Sequence, residues 1–277
     1  PADYLQKGLN LQDSIKDDPL IQCCFAPHAP YTVSDHPLQQ IHELAKRFNT
    51  PIHMHVHETA DEVLQAVKST QERPLARLER LGLLDRHFLA VHMTQLQAAE
   101  IDLLAYKGVH VIHCPESNLK LASGFCPVAK LLAAGVNIAL GTDGAASNND
   151  LDMLGEMRTA ALLAKAVAQD ASVVSAHQVL RMATLNGAKA LGLEQEIGSI
   201  EIGKSADLIT INLGGLESKP LYDPISHLVY CTTRDQVTHV WVAGKILLEE
   251  RKLSTLNEVE LMNSAQDWQS LIGETAG

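Results

Sequence analysis

Short runs of apolar and β-branched residues recur through the first half of the chain, at residues 20–26, 51–56, 87–92, 109–114 and 136–142. Segments of helical period separate them. Leu38, Ile41, Leu44, Ala45 and Phe48 share one helical face; Thr59 and Glu62 have the spacing of a capping box ahead of Val63 and Val67; Pro127 opens a segment that Gly135 closes. Strands alternating with helices predict βα units and a parallel sheet. A helix-like polar stretch, residues 3–18, precedes the first run. Beyond Asp143 the period stays helical over 152–168, 175–183 and 186–191, and then changes. Residues 197–211 and 236–248 alternate apolar with polar positions and are punctuated by Gly198, Gly203 and Gly244, which predicts a small antiparallel β module. Asn257 and Glu260 then cap a last helix carrying Val259, Leu261, Met262 and Trp268. The expected division is an α/β barrel part over 1–193, a small C-terminal β module over 194–255 and a terminal helix over 256–277.

The chain has 277 residues, 46% hydrophobic and 20% charged, enough to bury a substantial core. Lys and Arg number 22 against 33 Asp and Glu, a net charge of −11, so the basic excess that neutralises phosphates is missing and no nucleic-acid partner is expected. Cys23, Cys24, Cys114, Cys126 and Cys231 form no CxxC pair and are odd in number, which fits reduced thiols better than a disulfide or zinc-ribbon framework. No apolar run approaches the roughly 18 residues of a membrane-spanning helix, and no signal segment opens the chain. A cytoplasmic protein with no membrane association is expected.

Chemistry-bearing residues collect where the apolar runs end, and in a parallel α/β barrel those ends form the active-site face. The first run leads into Pro27-His28-Ala29-Pro30-Tyr31. The second holds His53, His55 and His57 and passes into Glu58; the third ends at His92, the fourth at His113 through Asn118, the fifth at Asp143. His53, His55 and His57 have the period of a strand and are expected on one face of it. A histidine at a strand end is commonly a hydrogen-bonded core residue. Because His55, His92 and Asp143 all close strands, however, they can offer imidazole nitrogens and a carboxylate to an open zinc or iron site. Glu58 can be read as a proton shuttle beside such a site or as a helix N-terminal charge next to Thr59.

Four segments carry a resemblance: His55-Val56-His57-Glu58-Thr59, Ala90-Val91-His92-Met93, His113-Cys114-Pro115-Glu116-Ser117-Asn118, and Gly141-Thr142-Asp143-Gly144-Ala145-Ala146-Ser147-Asn148. In this order and spacing, with residues 27–31, 198–200 and 203–208, the chain resembles the metal-dependent amidohydrolase superfamily. The nearest likeness is to 5-methylthioadenosine/S-adenosylhomocysteine deaminases. The resemblance implies a (β/α)8 TIM-type barrel. It makes His55 and Asp143 ligands of one divalent ion, zinc first, with iron or manganese as alternatives. Glu58 becomes the proton shuttle, His92 the histidine that orients the attacking oxygen, and Asp143 a second proton carrier. His28, Glu58, Asp143 and Ser147 become contacts to a small nucleoside substrate, while His57 and His113 are left to structural hydrogen bonding. The resemblance also suggests a homo-oligomer.

The superfamily's His-x-His pair on its first strand has no counterpart here, because no strand precedes residue 20. The chain is therefore expected to be N-terminally truncated and to correspond to strands 4 to 8 of the barrel plus the β module. The implied activity is hydrolytic deamination of adenosine-type nucleosides, releasing ammonia. Guanine or cytosine deamination and s-triazine dechlorination keep the chemistry with another ring or leaving group. A non-catalytic barrel fragment is a reading of a different class. Metal content and turnover separate these readings.

Overall fold

The computed structural model describes residues 2–275. Four of the apolar runs become strands: β1 (Ile52–Val56), β2 (Phe88–His92), β3 (His110–His113) and β4 (Ile138–Leu140). They pair in chain order as a parallel sheet, with Ile52 opposite Phe88, Leu89 opposite His110 and Val111 opposite Ile138. A parallel pair cannot be joined by a tight turn. The connections accordingly run through helices Ala60–Thr70 and Pro74–Arg80, then Ala98–Lys107, then Pro115–Lys120 and Val128–Ala133.

Alternation along the strands divides the sheet into two faces. Ile52, Met54, Val56, Phe88, Ala90, Val111, Ile138 and Leu140 pack into the main core with Leu38 and Ile41 of the Asp35–Phe48 helix, Leu75, Leu78, Leu104 and Leu131. Opposite them, Leu89, Ile112 and Ala139 gather with Ala190 in a second, smaller cluster. This second face carries the chain toward the site: it holds His53 and His55 on β1 in the positions alternate to Met54.

The run 20–26 does not form the expected strand. Phe25 alone bridges to Ile52, its N–H donating to Pro51 O at 2.9 Å and its carbonyl accepting from His53 N at 2.8 Å. Leu20 and Ile21 are exposed, so the alternating burial that would hold a full strand against the sheet is absent there.

After β4 come helices Met153–Ala168, Ala176–Met182 and Leu185–Leu191. Reciprocal amide bonds join the last of these to the sheet: Asn186 Nδ2 donates to Ile138 O at 2.9 Å and Asn137 Nδ2 to Asn186 O at 3.0 Å. A second, antiparallel sheet follows, with β5 (Leu208–Ile211), β6 (Val237–Val242), β7 (Lys245–Glu249) and β8 (Lys252–Leu253) paired in sequence order. Of the expected strand over 197–211 only β5 forms. The Lys204 ammonium gathers the preceding segment into a loop instead, donating to Glu194 O at 2.5 Å and Ser199 Oγ at 2.6 Å. The Pro224–Tyr230 helix between β5 and β6 packs on Met153–Ala168 and Ala176–Met182 and buries Val229 in the main core. The terminal helix Glu258–Thr275 starts as expected, with Asn257 Oδ1 accepting from Val259 N at 3.1 Å, and Val259, Met262 and Trp268 lie exposed on it.

Candidate active site

Strict alternation would send His92 to the helix-packed face with Phe88 and Ala90. Its φ of +75° breaks the pattern at the last residue of β2, and Met93 follows at +51°. His57 and Asp143, just past the ends of β1 and β4, are left-handed as well, at +53° and +62°. A non-glycine residue in this region costs energy, and such residues persist where surrounding contacts enforce them. Here they turn side chains at the ends of β1, β2 and β4.

The buried His92 ring comes to lie among carboxylates. Its Nδ1 is 2.8 Å from Asn118 Oδ1, which can only accept, so Nδ1 carries a proton and the neutral ring would present a bare Nε2. That Nε2 sits 3.8 Å from Glu58 Oε2 and 3.9 Å from Asp143 Oδ2. The His55 ring is 5.2 Å from His92, centroid to centroid, and 5.2 Å from His28, which packs edge-on against it. His28 is set by Thr32, whose Oγ1 lies 3.2 Å from its Nδ1, and by its carbonyl, which accepts from His55 N at 3.1 Å.

Asp143 is held by three donors. Ser117 Oγ and Ser147 Oγ donate to Oδ2 at 2.7 and 2.9 Å, and Gly144 N–H donates to Oδ1 at 2.7 Å. Burial alone would raise this carboxyl, but those bonds, with His92 nearby, keep it below the usual carboxylate range. Burial, reinforced by His92, lowers His55 against the opposing pull of Asp143 and Glu58, which favours the neutral imidazole with one nitrogen able to offer a lone pair. Glu58 accepts from Ser123 Oγ at 3.3 Å. The left-handed Gly124, whose added Cβ would meet Gln95 Nε2 at 2.5 Å, lets that loop close on Thr94 and Gln95.

Among the expected site residues, the structure thus brings together His28, His55, Glu58, His92, Asp143 and Ser147. His57 departs from the expected common face of His53 and His55. Its left-handed backbone turns the ring toward the Pro74–Arg80 helix, where Nε2 accepts from Leu75 N at 3.2 Å, and burial lowers it to about 4. His113 is buried with no partner for its Nδ1, unlike the structural hydrogen bonding expected of it, and burial pushes it down to about 3. Ser117, Asn118 and Ser123 also touch the site. Ser117 and Asn118 stand in the quoted segment after β3; nothing in the local spacing marks Ser123.

Among the described residues no three His, Cys, Asp or Glu side chains form a ready metal cage. The donors present do suit a divalent cation in part. An imidazole whose cation burial disfavours, a carboxylate held by three donors, and His92 Nε2 facing two carboxylates make an electron-rich cluster that positive charge would relieve. A cavity of about 1000 Å³ opens beside Glu58, lined by Tyr31, Thr32, Glu62, Gln65 and Arg77. Another, of about 740 Å³, lies at the opposite end of the sheet beside Pro51, His87 and His110, remote from these groups.

Side chains gathered at the C-terminal ends of parallel strands stand where α/β folds build their functional sites. The amidohydrolase family model matches residues 8–247, and the chain belongs to that family. It is 50% identical over 273 residues to a 5-methylthioadenosine/S-adenosylhomocysteine deaminase of Teredinibacter turnerae, covering 99% of this chain and 62% of the relative. A deaminase of the same name from Saccharophagus degradans is 50% identical over 269 residues, 97% of this chain and 60% of the relative. A crystal structure of an adenosine deaminase from Xanthomonas campestris with bound zinc superposes with a TM-score of 0.97 at 53% identity, covering 99% of this chain and 62% of that one. Atrazine chlorohydrolase from Arthrobacter aurescens, at 24% identity and a TM-score of 0.90, shares the fold. The chain spans about three-fifths of the length of these relatives.

Proposed function

We propose that this chain carries the chemistry of hydrolytic deamination of adenosine-type nucleosides, converting 5-methylthioadenosine or S-adenosylhomocysteine to the inosine analogue and ammonia. The observation that carries the reading is the convergence of Glu58 and Asp143 on Nε2 of His92, beside His55. The names of the relatives support the substrate class. On this reading β1 to β4 are the fifth to eighth strands of a (β/α)8 barrel over 1–193, with the β module over 194–255 and the terminal helix over 256–277. The five free cysteines support a reducing, cytoplasmic setting.

His55 and Asp143 would hold a divalent ion, zinc in the Xanthomonas neighbour, supplying Lewis-acid activation of water when bound. His92 accepts a hydrogen bond from the attacking water through Nε2 and orients it toward C6 of the purine. Asp143 takes one proton from that water and delivers it to the amino group, so the C6–N bond breaks with ammonia as the leaving group. Glu58 gives a proton to N1 as the C6–O bond forms and takes back the water's second proton as C6 becomes a carbonyl. His28, packed on His55, and Ser147, bonded to Asp143, would contact the nucleoside.

The test is ammonia release from methylthioadenosine, S-adenosylhomocysteine, guanine and cytosine, and chloride release from a chloro-s-triazine, measured with zinc present. Turnover of the adenosine compounds above the others is expected. Preference for another ring, or no turnover by a form extended to the length of its relatives, overturns the reading.

A further inference from the structure

Glu62 is placed for the return half of a capping box, and it does something else. Its N–H donates to Thr59 Oγ1 at 3.1 Å, as the spacing predicts. Its carboxylate, however, passes over Thr59 to the two residues before it. The backbone N–H of His57 donates to Oε1 at 3.1 Å and that of Glu58 to Oε2 at 2.7 Å. Glu62 is 9% exposed; burial raises its carboxyl while these two N–H bonds pull the other way, and bonds to the ionised form are charge-assisted and stronger than neutral ones. On the other side of Glu58, Thr94 Oγ1 donates to its carbonyl at 2.6 Å. Both peptide groups flanking Glu58 are thereby pinned, whereas its own carboxylate receives the single long bond from Ser123. The left-handed turn at His57 lies within this clamp.

We infer that Glu62 is a positioning residue for Glu58: by accepting two successive backbone N–H groups it fixes the direction in which the Glu58 side chain leaves the main chain, toward His92. This rests on the proton-shuttle role proposed for Glu58. The chemistry demands a carboxylate of this length. A glutamine offers one acceptor oxygen and would turn its amide protons on the second N–H; an aspartate is one methylene too short to reach both.

The test combines Glu62→Gln, Glu62→Asp and Glu62→Leu with and without Glu58→Gln in the full chain, reading kcat and KM for methylthioadenosine, thermal stability, and hydrogen exchange at the Glu58 amide. Each Glu62 substitution in the wild-type background is expected to lower kcat about 10-fold or more, with KM changed by less than about 2-fold and Glu62→Asp the mildest. In the Glu58→Gln background the same substitutions add nothing, because residues acting through one group are not additive. An equal loss in both backgrounds, or wild-type kcat in Glu62→Gln, overturns the inference, and Glu62→Asp decides it if Glu62→Leu does not fold. If the unsubstituted protein deaminates no nucleoside, the functional reading has failed; the clamp then stands or falls on faster exchange of the Glu58 amide in Glu62→Gln.

Discussion

The Glu58 carboxylate is held by one hydroxyl at 3.3 Å, loose support that suits a group proposed to gain and lose a proton during turnover. Glu58→Gln is expected to leave metal content unchanged while lowering kcat by about 100-fold or more, the scale of general acid–base loss. Near-normal turnover would return Glu58 to a helix-terminal charge. Asp143 is the reverse case: three donors keep it ionised, as a ligand requires. His55→Ala and Asp143→Ala are each expected to lose bound zinc by elemental analysis, and wild-type occupancy in both would rule out the ligand assignment.

The strand ends were legible in the sequence because an apolar run that stops at a histidine or aspartate announces where a buried ladder meets a polar face. The same reasoning misplaced His57, since a period of two cannot reveal that the backbone turns left-handed one residue after β1. It also gave no warning for Leu20 and Ile21, whose apolar character looks like a strand until the neighbouring ladder is known. Asn118 and Ser117 lay inside a quoted segment without a role, because a tautomer or a carboxylate's donors are set by residues far apart in the chain. On the Met153–Ala168 helix the missed group is Glu156, fully buried, accepting from Asn148 Nδ2 at 2.5 Å and pushed by burial to about 8. A carboxyl raised in the fold contributes stability that is complete below its ordinary value of about 4.5 and lost as the pH rises through about 8. Urea midpoints should therefore fall across that window, and Glu156→Gln should remove most of the fall; an unchanged slope would place its cause elsewhere.

At the scale of the whole molecule, two expected ligands and a length of about three-fifths of the relatives bear on metal affinity. A form extended at its N-terminus to the relatives' length is expected to hold zinc more tightly than residues 1–277 and to turn over faster; equal affinity in a chelator competition would show that these residues already supply a sufficient set. The placement of the indoles has a separate consequence. The chain has two tryptophans. Trp241 lies on β6, its ring stacked 5.4 Å from that of His239, and Trp268 is exposed on the terminal helix. Neither belongs to the parallel sheet that bears the histidines. Tryptophan fluorescence, excited apart from the tyrosines, is therefore a reporter confined to the last part of the chain: an emission change during denaturation records the loss of the antiparallel sheet and its trailing helix rather than of the parallel sheet itself.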